Sequence, residues 1–227
     1  MLSDLHPPRT SDNNCPLCSI EAVFPHIIGP QGRGYLRCPR CQIIFMQSEF
    51  LPDRMTEEAR YRAHQNGPRD DGYVRFLKQA VTPALPYLNS TMRGLDYGCG
   101  PAPTLSRLLE SEGLQCENYD PVFFPALPQK RFDFIFATEV LEHFFHPAQE
   151  LARICELLQP GGILTVMTEP WETLQGFAEW HYAKDLTHVC FYHASTLEYI
   201  CTQYGLEKLH QGPPRVTVLK KNFSQVR

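Results

Sequence analysis

The sequence of 227 residues contains no run approaching the ~18 consecutive apolar residues that a membrane span needs, so no membrane partner is expected. Its first fifteen residues, MLSDLHPPRTSDNNC, lack an apolar core, and no secretory leader is expected. A basic excess is also missing. Against 25 Asp+Glu stand 21 Lys+Arg, a formal net charge of −4, which gives little drive to bind phosphate backbones. With 43% hydrophobic and 20% charged residues, the chain does not have the composition of a disordered or fibrous protein. Nine cysteines, an odd number without an export leader, argue for reduced thiols or metal ligands over a disulfide framework. The chain therefore reads as cytoplasmic.

Composition divides the chain into residues 1–50, 51–90 and 91–227. The first segment is rich in cysteine, glycine and proline and has no long apolar periodicity. The second holds two helix-permissive stretches. One starts behind Asp53 as N-cap and is broken at Asn66, Gly67 and Pro68; the other runs from Asp71 to about Leu88, kinked or shortened by Pro83 and Pro86. Tyr73 and Phe76 fall on the apolar stripe of that second helix and read as core. From Arg93 the pattern becomes strand, glycine turn, helix, strand, repeated, which implies an α/β fold with a mainly parallel sheet. Ser195 reads as the cap of the last helix, and residues 206–219 as a terminal hairpin.

Cys15-Pro-Leu-Cys18 and Cys38-Pro-Arg-Cys41 are two C-x-x-C pairs separated by nineteen residues. A tight turn carrying two thiolates can aim both at one ion, and this spacing suits a structural zinc site, with a rubredoxin-like iron site as the alternative. So few apolar residues could hardly fold unless metal binding supplied free energy. The module reads as a structural clip. The other reading, a nucleic-acid ribbon, lacks a basic excess: Arg9, Arg33, Arg37 and Arg40 are balanced by Asp4, Asp12, Glu21 and Glu49. The other cysteines, Cys99, Cys116, Cys155, Cys190 and Cys201, show no paired spacing; all but Cys99, which lies in the glycine loop, read as small buried hydrophobes.

Asp96-Tyr97-Gly98-Cys99-Gly100 ends the first strand of the third segment and opens a helix. The glycines permit a sharp turn and close approach of a ligand, and Asp120, at the end of the next strand, can accept both hydroxyls of a ribose. Pro103 stands where a dinucleotide loop needs a small residue over a pyrophosphate. Asp96 would repel a phosphate but suits a cationic ligand.

This constellation resembles the class I methyltransferases that bind S-adenosylmethionine (SAM). Their D-x-G-x-G-x-G motif is matched by Asp96, Gly98 and Gly100, with Ala102 at the last position, and the resemblance continues through Glu139-Val-Leu-Glu-His143 and Leu158-Gln-Pro-Gly-Gly162. It implies a Rossmann-like sheet of about six or seven strands with the last antiparallel. One departure stands out. Only twelve residues, three of them prolines, separate Asp120 from Asp133, so the third strand should be reduced or missing. The cofactor set implied is Asp96, Tyr97, Gly98, Gly100, Asp120, Pro121, Thr138 and Glu139, with Tyr61 and His64 closing from the helical cap.

Methyl transfer needs an aligned nucleophile, excluded water and, for a hydroxyl, a proton acceptor. Glu142, His143 and His188 are the catalytic candidates. If residues 139–143 are helical, Glu139 shares a face with Glu142 and His143. The histidine-rich segment from Trp180 to His193 resembles those of ubiquinone-biosynthesis O-methyltransferases and of small-RNA terminal ribose O-methyltransferases. Transferred by that resemblance, Glu139, Glu142, His143 and His188 would hold a second divalent ion, for which a carboxylate–imidazole set suits Mn²⁺ or Fe²⁺ better than Mg²⁺. Without an ion, His143 or His188 would act as general base. The expected function is methyl transfer from SAM to an oxygen of a small molecule. The alternatives are an RNA methyltransferase docking through the cysteine module, tested by Arg33 and Arg37, and a non-catalytic SAM-binding scaffold.

Overall fold

Seven consecutive residues, Phe132–Thr138 (β6), form the strand on which the domain is built, and the computed structural model describes residues 9, 11–63, 70–212 and 215–223 around it. Phe134 and Phe136 point to one side of the sheet; Phe132, Ile135 and Ala137 belong to the core on the other. A strand apolar on both faces must sit centrally with both faces covered. Each such fully buried Phe or Ile contributes about 1.5–3 kcal/mol relative to exposure.

The sheet has six strands. Arg93–Tyr97 (β4) and Gln115–Tyr119 (β5) lie parallel on one side of β6, and Leu158–Met167 (β7) lies parallel on the other. Leu206–Gly212 (β9) and Val216–Lys221 (β10) complete the order β5-β4-β6-β7-β10-β9, with β10 antiparallel to both neighbours. No strand lies beyond β5 among the described residues, as the short proline-rich link after Asp120 requires. The helices divide between the faces. Asp71–Ala84 (α2) and Thr104–Ser111 (α3) cover Phe134 and Phe136, whereas Pro147–Leu157 (α4), the one-turn His181–Lys184 (α5) and Ala194–Tyr204 (α6) belong to the opposite core.

Local chemistry sets the boundaries. Asp53 accepts the amide of Thr56 at 2.8 Å at the start of Arg54–Ala63 (α1), and Asp70 accepts those of Gly72 and Tyr73 at 2.8 and 3.1 Å ahead of α2. Pro83 is tolerated in the last turn of α2, which tightens into a 3₁₀ turn over Leu85–Tyr87. The cap of α6 is His193, not Ser195. Its Nδ1 accepts the Ser195 amide at 3.1 Å, while Thr196 returns a bond to the His193 amide. Cys116 and Cys201 also depart from expectation, being only partly buried, unlike Cys155 and Cys190.

The cysteine segment folds as His26–Ile28 (β1), Gly34–Arg37 (β2) and Ile44–Met46 (β3), an antiparallel meander. Its fourth strand comes from far along the chain: Cys190–Phe191 (β8) pairs with β3, placing Ile44 opposite Phe191 and Phe45 opposite Cys190. The buried residues of this segment are continuous with the α4/α6 core.

Candidate active site

Beyond the carboxyl ends of β4, β5 and β6 opens a cavity of about 750 Å³. Gly98 and Gly100 turn the chain at φ +83° and +66°, a region closed to most side chains; a Cβ on Gly98 would lie 2.4 Å from Val140. The loop is pinned to β5 by its backbone, with the amides of Gly98 and Cys99 donating to the Tyr119 carbonyl at 2.8 and 3.2 Å. Asp120 accepts the Gly100 amide at 3.0 Å through Oδ2, and those of Val122 and Phe123 at 2.9 and 3.0 Å through Oδ1. The carboxylate is thus held rigidly at the rim of the cavity, with Tyr97, Pro121, Phe123 and Thr138 beside it.

Asp96 lies under this loop, 2% exposed, and its Oδ1 has no hydrogen-bond partner. Burial, reinforced by the charge of Asp120, pushes its pKa up to about 8. Asp96 is not among the residues lining the cavity; a buried carboxyl beneath the loop, with one oxygen unpartnered and a second acid at the rim, suits a cationic ligand above it, so the residues present fit SAM.

The opposite wall is made of side chains. Glu139 follows β6 at φ 51°, its amide caught by the Met167 carbonyl at 2.7 Å, and the following 3₁₀ turn begins only at Leu141. The segment is therefore not one helix, and Glu139 does not share a face with Glu142 and His143. It faces Arg215, 3.4 Å away, whose other nitrogen binds Glu169. Burial and the neighbouring Glu142 push Glu139 up to about 8 against the pull of Arg215. Arg215 is stacked 5.3 Å from the Phe76 ring and 6.0 Å from that of Tyr182.

Glu142, His143 and His188 do come together, each offering a ligand atom within 4.8 Å of the others. Glu142 is fully buried; Oε2 accepts from Thr168 at 2.9 Å and Oε1 has no partner. Burial pushes it up to about 7. His143 donates Nδ1–H to the Thr187 carbonyl at 2.9 Å, and His188 donates to that of Tyr182 at 2.7 Å, so each Nε2 carries the lone pair. Burial lowers both, His188 to about 3 with His143 adding to the effect, and both are neutral at pH 7. The rings meet edge to face at 4.8 Å, with Tyr61 against His143 at 5.3 Å and Tyr182 against His188 at 4.3 Å.

Tyr61 lines the cavity; His64 lies outside the described residues. Tyr73 and Phe76, expected in the core, stack on each other and line the cavity as well. Arg60 closes the far side by pairing with Asp185 at 2.6 Å, and Asp185 also accepts from Thr187. Burial would raise Asp185, but Arg60 and Thr187 hold it well below the usual carboxylate range. Sequence reasoning missed Arg60, Glu169, Tyr182, Asp185 and Arg215. None belongs to a short spaced motif, although Tyr182 and Asp185 lie inside the flagged histidine-rich segment.

Away from the cavity, the four cysteines converge. Cys15 and Cys41 sulfurs are 3.6 Å apart and Cys18 and Cys38 sulfurs 3.5 Å, near the ~3.8 Å edge of a tetrahedron with bonds of about 2.3 Å to its centre. The two turns match. The amides of Cys18 and Cys41 each donate to the sulfur three residues earlier at 3.5 Å, and Ser19 and Gln42 each follow at left-handed φ, 57° and 61°.

Against known protein families, residues 61–211 match the one described as "Methyltransferase domain". No curated protein matches the sequence. Among solved structures, the 1,6-didemethyltoxoflavin-N1-methyltransferase of Burkholderia thailandensis, with 1,6-didemethyltoxoflavin and S-adenosylhomocysteine (SAH) bound, is 18% identical, with a TM-score of 0.50 over 88% of this chain and 100% of that one. The N-methyltransferase NodS of Bradyrhizobium japonicum, in complex with SAH, is 16% identical, with a TM-score of 0.49 over 74% and 99%.

Proposed function

Since the chain belongs to the methyltransferase-domain family and is a SAM-dependent methyltransferase, we propose that it methylates an oxygen of a small-molecule acceptor. One observation carries this reading: two neutral imidazoles that line the cavity are each tied through Nδ1 to a backbone carbonyl, leaving the lone pair on Nε2, and lie beside the buried carboxyl of Glu142. A hydroxyl must lose its proton as it attacks the methyl group, whereas a free amine arrives with its lone pair ready. Proton acceptors held at this wall favour the first.

In this reading Asp120 grips the ribose hydroxyls and Asp96, buried beneath the loop, attracts the ammonium and sulfonium end through its charge. Tyr97, Gly98, Gly100, Pro121 and Thr138 line the nucleoside, and Glu139 stands between the two halves. SAM supplies the electrophilic methyl. His143 receives the acceptor's proton at Nε2, with the His188 ring packed edge to face against it; Glu142, held by Thr168, lies beside the pair, and Tyr61, Tyr73, Phe76 and Tyr182 exclude water around the acceptor. The aromatic lining and the modest cavity fit a small molecule; the uncharged balance of residues 1–50 gives an RNA little to hold.

A second reading is favoured by the unpartnered Oε1 of Glu142: a divalent ion held by Glu142, His143 and His188 would polarise the acceptor hydroxyl. Both imidazoles are fixed through Nδ1 by backbone carbonyls, as metal-binding histidines require. Glu139 is outside this set. At the cysteine cluster the matched turns and sulfur spacings support zinc. No helix among the described residues is long and apolar enough to cross a membrane.

The test is SAH formation across matched panels of small phenols, catechols and amines, with and without added Mn²⁺. Turnover on hydroxyl acceptors that collapses in His143→Ala and falls less in His188→Ala supports the proposal. Turnover confined to amines and indifferent to both substitutions overturns it.

A further inference from the structure

The second cysteine turn closes the β2–β3 hairpin: β2 ends at Arg37, β3 begins at Ile44, and the Cys38 amide donates to the Ile43 carbonyl at 2.9 Å. That hairpin is joined to the histidine wall through main chain. The Met46 amide donates to the Val189 carbonyl at 2.8 Å, and the Val189 amide donates to the Glu142 carbonyl, also at 2.8 Å. Val189, next to His188, thus bridges the cysteine sheet and the 3₁₀ turn that carries Glu142 and His143.

Side chains reinforce the bridge. Arg33, itself buried, donates to the carbonyls of Ala183 and Lys184 at 2.9 and 3.3 Å, fixing the segment from which Tyr182 supplies the His188 acceptor. Trp171 donates from Nε1 to the carbonyl of Gln42, the left-handed residue directly after Cys41, at 3.1 Å. Tyr35 packs its ring against Phe177 and Phe191 at 5.2 and 5.8 Å. The glycine loop receives nothing comparable: its described backbone bonds go to Tyr119 and Asp120.

We infer that the cysteine module is a positioning device for the acceptor half of the site, in which the hairpin closed by the second cysteine turn sets His188 and Glu142 through Val189, with Arg33 and Trp171 as positioning residues. Disturbing the module displaces the proton-accepting wall and leaves cofactor affinity in place. The inference rests on reading the histidine cluster as the acceptor half.

The test uses the full chain labelled with ¹⁵N-histidine, in unmodified form, after treatment with a metal chelator, and as Arg33→Met and Trp171→Phe, which keep all four cysteines. Two readouts are taken: histidine ring proton–nitrogen correlations, and SAH affinity by calorimetry. The unmodified chain should show protected Nδ1–H signals from His143 and His188. In the treated protein and in both variants the His188 signal should shift or vanish, while SAH affinity stays within about twofold, as for sites without shared partners. Unchanged ring signals in both variants, or SAH affinity lost in step with them, overturn the inference. Failure of the unmodified chain to bind SAH sinks the cofactor reading instead, and the ring signals still judge the inference.

Discussion

The two halves of the cavity are built by different means. The nucleoside half is a local construction: one turn, two glycines and an acid twenty residues beyond the second of them, held by backbone bonds to the next strand. The acceptor half is assembled from residues 60–61, 139–143, 181–188 and 215, and it leans on a four-strand sheet begun near the N-terminus. A half built from one turn tolerates change elsewhere. A half assembled from distant parts transmits it.

The largest expected effect separates the halves directly. His143→Ala should lower methyl transfer by roughly 10²–10⁴-fold, the usual contribution of a positioned proton acceptor, and His188→Ala by less, through the lost packing against His143, while SAH affinity is unchanged in calorimetry. Asp120→Ala should do the reverse. Losing hydrogen bonds to a charged group costs about 1.5–3 kcal/mol, so SAH should bind roughly tenfold to a hundredfold more weakly, with the rate at saturating SAM largely kept. Parallel losses of both quantities in either variant would dissolve the distinction.

A proton count sharpens it. Asp96, raised to about 8 by burial and by Asp120, holds its proton in the ligand-free protein at pH 7. A cationic ligand favours its ionised form, so SAM binding should release protons, visible as different calorimetric heats in two buffers of unlike ionisation enthalpy. Equal heats contradict this. For stability the sign is that of a raised folded-state pKa: the contribution of Asp96 is present below the ordinary carboxylate range and fades as pH rises through about 8. The smallest effect concerns Arg60→Met. Its pair with Asp185 is partly solvent-exposed, and the melting free energy should fall by no more than about 1 kcal/mol.

The same contrast explains what could be read from the sequence. Gly98, Gly100 and Asp120 announce themselves because the turn needs positive φ and the acid follows at strand-plus-helix spacing. The missing third strand was legible in the short link before Asp133, and the cysteine cluster in its two matched pairs. The acceptor wall was legible only in part. Glu142, His143 and His188 stand at a recognisable spacing, but Glu139, which the family resemblance adds to them, stays apart; the Met167 carbonyl captures its amide, extending the β-ladder by one residue and postponing the turn. Arg215 and Glu169 carry no motif, since an ion pair across 46 positions leaves no local pattern. Two-residue β8 was equally invisible, because its pairing partner lies in a different segment and neither residue alternates with enough neighbours to read as a strand.

A crystal structure of the full chain with SAH bears most directly on the central claim that one cavity joins a backbone-built nucleoside half to a histidine-built acceptor half. The account predicts the ribose hydroxyls on Asp120, the amino end toward Asp96 and the sulfur facing Nε2 of His143 and His188 across the space left for an acceptor. A nucleoside bound away from Asp120, or a sulfur turned from the two imidazoles, would contradict it.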